Sequence, residues 1–226
     1  PKRAYDPSAG GGTTTIDFDL ASRRIIRDFV SLEGTIVNCA GGIGFGKTAW
    51  ITGEEVVSGP EHTVAASRFP VRHGYCFEVP VSRGAGKPRR AEPLVPLGRF
   101  AHEAVAVDQR TGVVYETEDP GSGVGAGFYR FLPDDPRRLA RGGSLQMLGI
   151  KGRPGVDLRK GQHIGQPLEV VWFDIADPDP DYEVNNDPRS VFNQGYGQGG
   201  ALFNRLEGCW EDEGTIYFVS TSGGDA

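Results

Sequence analysis

Asn38-Cys39-Ala40-Gly41-Gly42-Ile43-Gly44-Phe45-Gly46-Lys47-Thr48-Ala49-Trp50-Ile51-Thr52-Gly53-Glu54-Glu55 can be read as the start of either of two folds. Residues 41–48 spell G-x-x-x-x-G-K-T, the phosphate-cradling loop of nucleotide hydrolases. That loop needs a strand before it, which 35–38 supplies, and a helix starting at Lys47 whose first amides hold the phosphates. The residues after Thr48 refuse the helix. Trp50, Ile51, Thr52, Val56 and Val57 are β-branched or aromatic, and Gly53, Gly59 and Pro60 interrupt what remains. Residues 170–174 imitate the magnesium-holding strand of such enzymes, yet strands do not alternate with amphipathic helices anywhere in the chain. The stretch is therefore read as a strand ending at a Gly pair, a turn, a short strand over 49–52 and an acidic pair, in an all-β fold.

The rest of the chain agrees. Gly is 34 of 226 residues and Pro 16, interleaved with Val, Ile, Phe, Tyr and Thr runs. Such a composition favours short strands and tight turns over long helices. Residues 13–20 alternate apolar and polar, as a strand with one wet face does. Residues 23–30 and 32–39 read as two further strands, 56–74 as a long loop, 75–81 as a strand and 84–90 as a basic surface loop. The clearest unit lies within 101–119, where strand 103–107, the turn Asp108-Gln109-Arg110-Thr111-Gly112 and strand 113–117 form a hairpin. Strands are expected over 127–132, 145–150, 166–175, 201–205 and 215–221, one helical turn over 137–141 and a loop over 177–190. Turn signals every 8–12 residues indicate a sandwich, barrel or propeller; the two best-formed units share a pattern of strand, acidic turn ending in Gly, strand, which propeller blades also use, with no tight fixed-period repeat. The length fits one domain over 1–226, or a piece of a larger one.

Net charge is −6, which argues against a nucleic-acid partner. No apolar run reaches about 18 residues, so no integral membrane segment is expected. Cys39, Cys76 and Cys209 are an odd count; they read either as buried thiols or as including one ligand or nucleophile. Trp50, Trp172 and Trp210 read as core, and His102 as a packed or hydrogen-bonded residue or a ligand. His62, His73 and His163 are given no role. The chemistry resides in carboxylates at strand ends: Glu54 and Glu55, Glu103, Glu118 and Asp119, and Glu207 two residues after Arg205. Each could be simply exposed. Gathered at one mouth of an all-β ring, they could not all ionise without cations, and oxygen-ligated hard metals resolve that conflict.

Several words then occur in a specific order: Asn38-Cys39-Ala40-Gly41-Gly42, Gly98-Arg99-Phe100-Ala101-His102-Glu103-Ala104, Gly112-Val113-Val114-Tyr115-Glu116-Thr117-Glu118-Asp119, Gly127-Phe128-Tyr129-Arg130-Phe131, Arg205-Leu206-Glu207-Gly208 and Tyr217-Phe218-Val219-Ser220-Thr221-Ser222-Gly223-Gly224. From Ala4-Tyr5-Asp6-Pro7 to its end, the chain resembles the PhoX-type alkaline phosphatases, secreted bacterial phosphomonoesterases. The resemblance implies a longer β-propeller of which residues 1–226 are a portion, a mouth that holds iron (Fe3+) bridged to calcium (Ca2+), hydrolysis of a small phosphate ester, and a periplasmic or extracellular location. It implies Cys39 as an iron ligand, Glu103 and Glu207 as bridging or ligand carboxylates, and Glu55 and Glu118 as further acidic positions. Arg205 would face the phosphate and Asn38 would help to bind it, with Arg205 and Glu207 forming the catalytic pair. Two words depart from the family. A Thr-Pro-Trp-Gly-Thr-Trp run is replaced by 43–50, and the Cys that often precedes the Glu pair is Gly53. Two other readings stay open: a calcium-dependent lactonase or esterase propeller, for which Cys39 would be idle, and a non-catalytic propeller that binds partners.

Overall fold

The computed structural model describes residues 3–60, 69–81, 91–181 and 187–224, and within them the chain is built from antiparallel strands. The basic stretch 84–90, His62 and part of the loop read over 56–74 lie outside the described residues.

β1 (Gly11–Asp19) and β2 (Arg24–Thr35) form a long two-stranded ribbon. Its turn is set by Asp19, whose carboxylate accepts the backbone N–H groups of Ala21 and Ser22. The two strands read over 23–30 and 32–39 are instead one, because β1 pairs along the whole of β2 and absorbs register shifts at three bulges. The break falls later, at Ile36-Val37, where Val37 takes φ 44°.

β3 (Asn38–Ile43), β4 (Ala49–Glu54) and β5 (Cys76–Pro80) form a three-stranded meander. Between β3 and β4 the residues that mimic a phosphate loop form a single 3-10 turn at Phe45–Lys47, with no α-helix after it. Gly41 and Gly42 lie inside β3 rather than ending a strand. The reason is space: a Cβ on Gly42 would stand 1.8 Å from the carbonyl oxygen of Val105 in the next sheet.

That next sheet is a five-stranded meander of β6 (His102–Val107), β7 (Val114–Glu118), β8 (Phe128–Pro133), β9 (Gly143–Ile150) and β10 (Val170–Asp174). The β6–β7 hairpin closes as read. Asp108 accepts from the Arg110 N–H and the Thr111 hydroxyl, and Gly112, at φ 80°, bonds back to the Asp108 carbonyl. All six residues of β6 are buried, since it packs against β3 and β4 as well as β11 (Leu206–Asp212). β11 pairs with β12 (Thr215–Ser220). The leading strands β3, β6 and β11 thus pack on one another, as the inner strands of propeller blades do around an axis. Ile51, Phe100, Val105, Tyr129, Phe131 and Met147 fill one core on this plan, and Ala104, Ala106, Phe128, Leu148 and Leu206 a second.

Four expectations are corrected. Residues 201–205 form isolated bridges to Ala126 and Asp157 rather than a strand. β11 is a strand where none was read. A helix, α1 (Ser190–Gln198), closes the loop region and buries Val191 and Phe192; Gly195 fits because a Cβ there would meet Met147 at 2.5 Å. Trp50 and Trp210 are exposed, at 39% and 60%, not core. Among the described residues no helix is long and apolar enough to cross a membrane.

Candidate metal centre

Cys39 is the second residue of β3, Glu55 follows β4, and Glu103 is the second residue of β6. Their sulfur and carboxylate oxygen atoms lie within 4.8 Å of one another. The Cys39 thiol donates to Glu103 Oε1 at 3.2 Å. Two glycines permit this convergence. Gly42 lets β3 lie flush on β6, and Gly53 does the same for β4, since its Cβ would come within 2.5 Å of His102 Cβ. The departure from the family pattern at Gly53 is therefore matched by a wall that leaves no room for a side chain.

Alternation along each strand end decides which carboxylate of a pair joins the cluster. Glu55 faces it. Glu54 turns the other way, fully buried, and accepts from the backbone N–H groups of Ile36, Gly74 and Tyr75. Glu118 likewise turns inward, to the Gly127 N–H at 2.7 Å and the Tyr129 hydroxyl at 3.0 Å. Asp119, its neighbour, faces the mouth; both belong to the strand-end carboxylates read from the sequence, the resemblance points to Glu118, and alternation at the end of β7 selects Asp119 instead. Asn38 stands at the start of β3 with its amide engaged by Thr35 and Thr52.

Arg205 links the parts. Its Nε lies 2.9 Å from Asp119 Oδ2, and Nη2 pairs with Glu207 Oε1. Glu207 is anchored in turn: Thr221 donates to its carboxylate at 3.1 Å and Thr117 to its backbone carbonyl at 2.7 Å. Both Arg205 (φ 48°) and Val37 (φ 44°) hold left-handed backbone that costs a branched or long side chain energy, and both flank the cluster.

The electrostatics are those of crowded anions. Burial, the Glu103 acceptor and the charge of Glu55 push the Cys39 thiol up to about 12, although the residue is exposed at its edge. Burial raises Glu103 to about 7, aided by Glu55, Glu207 and Asp119. Glu55 is raised chiefly by burial, with Asp119 and Glu207 adding to it. A thiol and four carboxylates with one close guanidinium form a donor set that suits cations. Sulfur with hard oxygens fits a transition metal, and oxygens alone fit calcium.

The family model for alkaline phosphatase PhoX matches residues 11–226. No curated protein matches the chain. Among solved structures, Pseudomonas fluorescens PhoX in complex with vanadate, a transition state analogue, is similar at a TM-score of 0.52 and 18% identity. The match covers 96% of this chain and 43% of that one, so the chain spans less than half the length of the protein it resembles. At that identity the likeness is one of fold, and it agrees with the propeller-like packing of β3, β6 and β11.

Proposed function

The chain belongs to the PhoX alkaline phosphatase family, and from that premise we propose that it hydrolyses phosphate monoesters at a metal cluster in the propeller mouth. The observation that carries the reading is the convergence of Cys39 and Glu55 from one sheet with Glu103 from the next, beside an Arg205 held by Asp119 and Glu207. The donors fit the metals that the family implies. Cys39, Glu55 and Glu103 would hold Fe3+, with the thiol giving up its proton to bind; Glu207 and Asp119 would hold Ca2+. When bound, such ions supply Lewis-acid stabilisation of the charge that phosphoryl transfer concentrates on the transferred group.

The chain's own residues supply position. Asp119 stands 2.9 Å from Nε and Glu207 pairs with Nη2 of Arg205, and a guanidinium held between these charges would offer Nη1 to an oxygen of the ester phosphate. Glu207 acts on both sides, orienting Arg205 and offering its second oxygen to a cation. Asn38 lies at the same strand edge as Cys39 and serves as a polar contact for the substrate. Glu118, buried behind the sheet, supports β7 and β8 rather than the cluster. The vanadate held by the Pseudomonas fluorescens protein mimics a phosphoryl-transfer state and supports the same substrate class here. Export to the periplasm or beyond follows the family's habit.

Elemental analysis tests the reading. Iron together with calcium is expected in purified protein; calcium alone would favour the lactonase or esterase reading, and no metal the non-catalytic one. Glu207→Ala is expected to lower turnover of a chromogenic phosphate monoester by at least about 10²-fold, the scale of losing one electrostatic stabiliser. Cys39→Ser is expected to lose iron while retaining the far-UV spectrum of the fold. Normal turnover in the first variant, or normal iron in the second, would remove the site from the mechanism.

A further inference from the structure

A second cluster lies behind the first and takes no part in the mouth. Cys76 opens β5, His102 opens β6 and Glu116 sits within β7. All three side chains are fully buried, and one ligand atom from each lies within 4.8 Å of the others. His102 Nδ1 is 3.2 Å from Glu116 Oε2, and Cys76 Sγ is 3.8 Å from the same oxygen.

The ring of His102 identifies what is missing. Its Nε2 lies 3.0 Å from the carbonyl oxygen of Gly98, an acceptor, so Nε2 carries the proton. In a neutral imidazole Nδ1 is then a bare lone pair. That lone pair faces a carboxylate oxygen, another acceptor. Among the described residues neither His102 Nδ1 nor Glu116 Oε1 has a hydrogen-bond partner, although both are sealed from solvent. Buried polar atoms are almost always satisfied. Two acceptors and a sulfur pointing at one another need something positive between them. A ligating His that donates its other ring nitrogen to a backbone carbonyl is the usual outer support of a metal-bound imidazole.

We propose that Cys76, His102 and Glu116 bind one zinc ion, a structural site that clamps the three-stranded sheet to the five-stranded sheet. Sulfur, nitrogen and oxygen are all ligands of zinc, and the spacings need only small closure to reach distances of about 2.0–2.3 Å from a common centre. The charges balance: a thiolate, a carboxylate and a neutral imidazole total −2 against Zn2+. The three ligands are fully buried and Phe100, whose ring centroid is 3.7 Å from that of His102, covers them, which gives the site a structural rather than a catalytic character. Binding replaces the proton of the Cys76 thiol with the metal.

The test uses protein carrying Cys39→Ser, which removes the exposed thiolate of the mouth and separates this inference from the proposed phosphatase site. Refolded with Co2+ as probe, that protein is expected to show a thiolate-to-cobalt charge-transfer band and tetrahedral d–d absorption. Refolded with Zn2+, it is expected to hold about one zinc per chain and to melt at a higher temperature than after refolding with chelator. Adding Cys76→Val, which keeps the site apolar and near in volume, is expected to abolish the band and the zinc-dependent shift. Should that variant not fold, zinc-edge X-ray absorption of the Cys39→Ser protein decides: one sulfur in the shell upholds the site, and a nitrogen–oxygen shell overturns it. Coincident melts with and without zinc, or a cobalt band that survives Cys76→Val, would also overturn it, and a proton shared by His102 and Glu116 would then fill the gap.

Discussion

Arg205 is where chemistry and backbone meet. Its φ of 48° is held by the Thr221 N–H bonding its carbonyl at 3.1 Å, and its side chain by two carboxylates. Costly backbone and two flanking anions are consistent with the orienting role proposed for Arg205. Lysine would keep the charge and lose the planar fork, so Arg205→Lys is expected to lower kcat/KM on a phosphate monoester by about 10²-fold. The fall should appear without loss of bound metal; a variant with unchanged kcat/KM would show that Arg205 only supports Glu207. Residues of this kind were partly legible. Cys39, Glu55, Glu103, Arg205 and Glu207 come together in the fold as a set whose members the sequence places far apart. Glu118 and Asp119 read as a pair, and the sequence cannot choose between them, because the choice rests on which face of β7 each takes and a bulge between His102 and Val105 shifts that register. Glu54 and Glu55 were harder still: one is a hub of backbone N–H groups, and no composition rule separates the two.

Elements carry the site through close approach. β3 reaches β6 only because Gly42 has no side chain, so Gly42→Ala must push the Val105 carbonyl away or part the two sheets. Overpacking of this kind costs about 1–3 kcal/mol, and a drop in denaturant midpoint together with weakened metal binding is expected. A drop in stability with metal affinity intact would mean that β3 relaxes without moving Cys39. A second device ties the lead-in before β1 to the turn before β5. His73, fully buried, lies between Glu54 Oε1 at 2.7 Å and Asp6 Oδ2 at 3.2 Å. Burial disfavours its charge, but hydrogen bonds and the charges of the two carboxylates outweigh this and raise His73 above its ordinary 6.5. Burial also opposes the charge of Asp6, but hydrogen bonds from Ser8 and His73 lower it below 3.8. The signs give a window. The His73 contribution is full below 6.5 and is lost as pH rises through its raised value; the Asp6 contribution is full above 3.8 and is lost as pH falls through its lowered one. Thermal midpoints should therefore decline on the alkaline side in wild type, and His73→Gln should flatten that limb; parallel pH profiles would refute the clasp. His73 had no legible role because its partners are 19 and 67 residues away. The hairpin of β6 and β7 was legible, since its turn is local. α1 was not, because two glycines argue against a helix and only Met147 explains Gly195. β11 was obscured by Gly208 and by its acidic end, which break the alternation that marks a strand.

At the scale of the whole molecule, the fold gathers anions of a chain that is already acidic, with a net charge of −6. Strand ends from three sheets deliver Glu55, Glu103, Asp119 and Glu207 to one mouth, and Arg205 is the close cation. Packing of β3, β6 and β11 holds the strand ends that carry these charges close together. The cations proposed for the mouth would then contribute to the fold's stability as well as to its chemistry. Chelation is expected to lower the thermal midpoint by several degrees, as the loss of a ligand that binds only the native state does. Two remedies separate specific binding from screening. Raising ionic strength from 0.1 to 1 M shortens the screening length from about 10 to 3 Å and should restore only part of the loss, since groups in mutual contact are barely screened. Millimolar calcium at constant ionic strength should restore more, and the restoration should vanish in Glu207→Ala. If sodium chloride and calcium recover the midpoint equally, the mouth is only an acidic surface, and the case for a cluster binding there fails on thermodynamic grounds, whatever the activity assay reports.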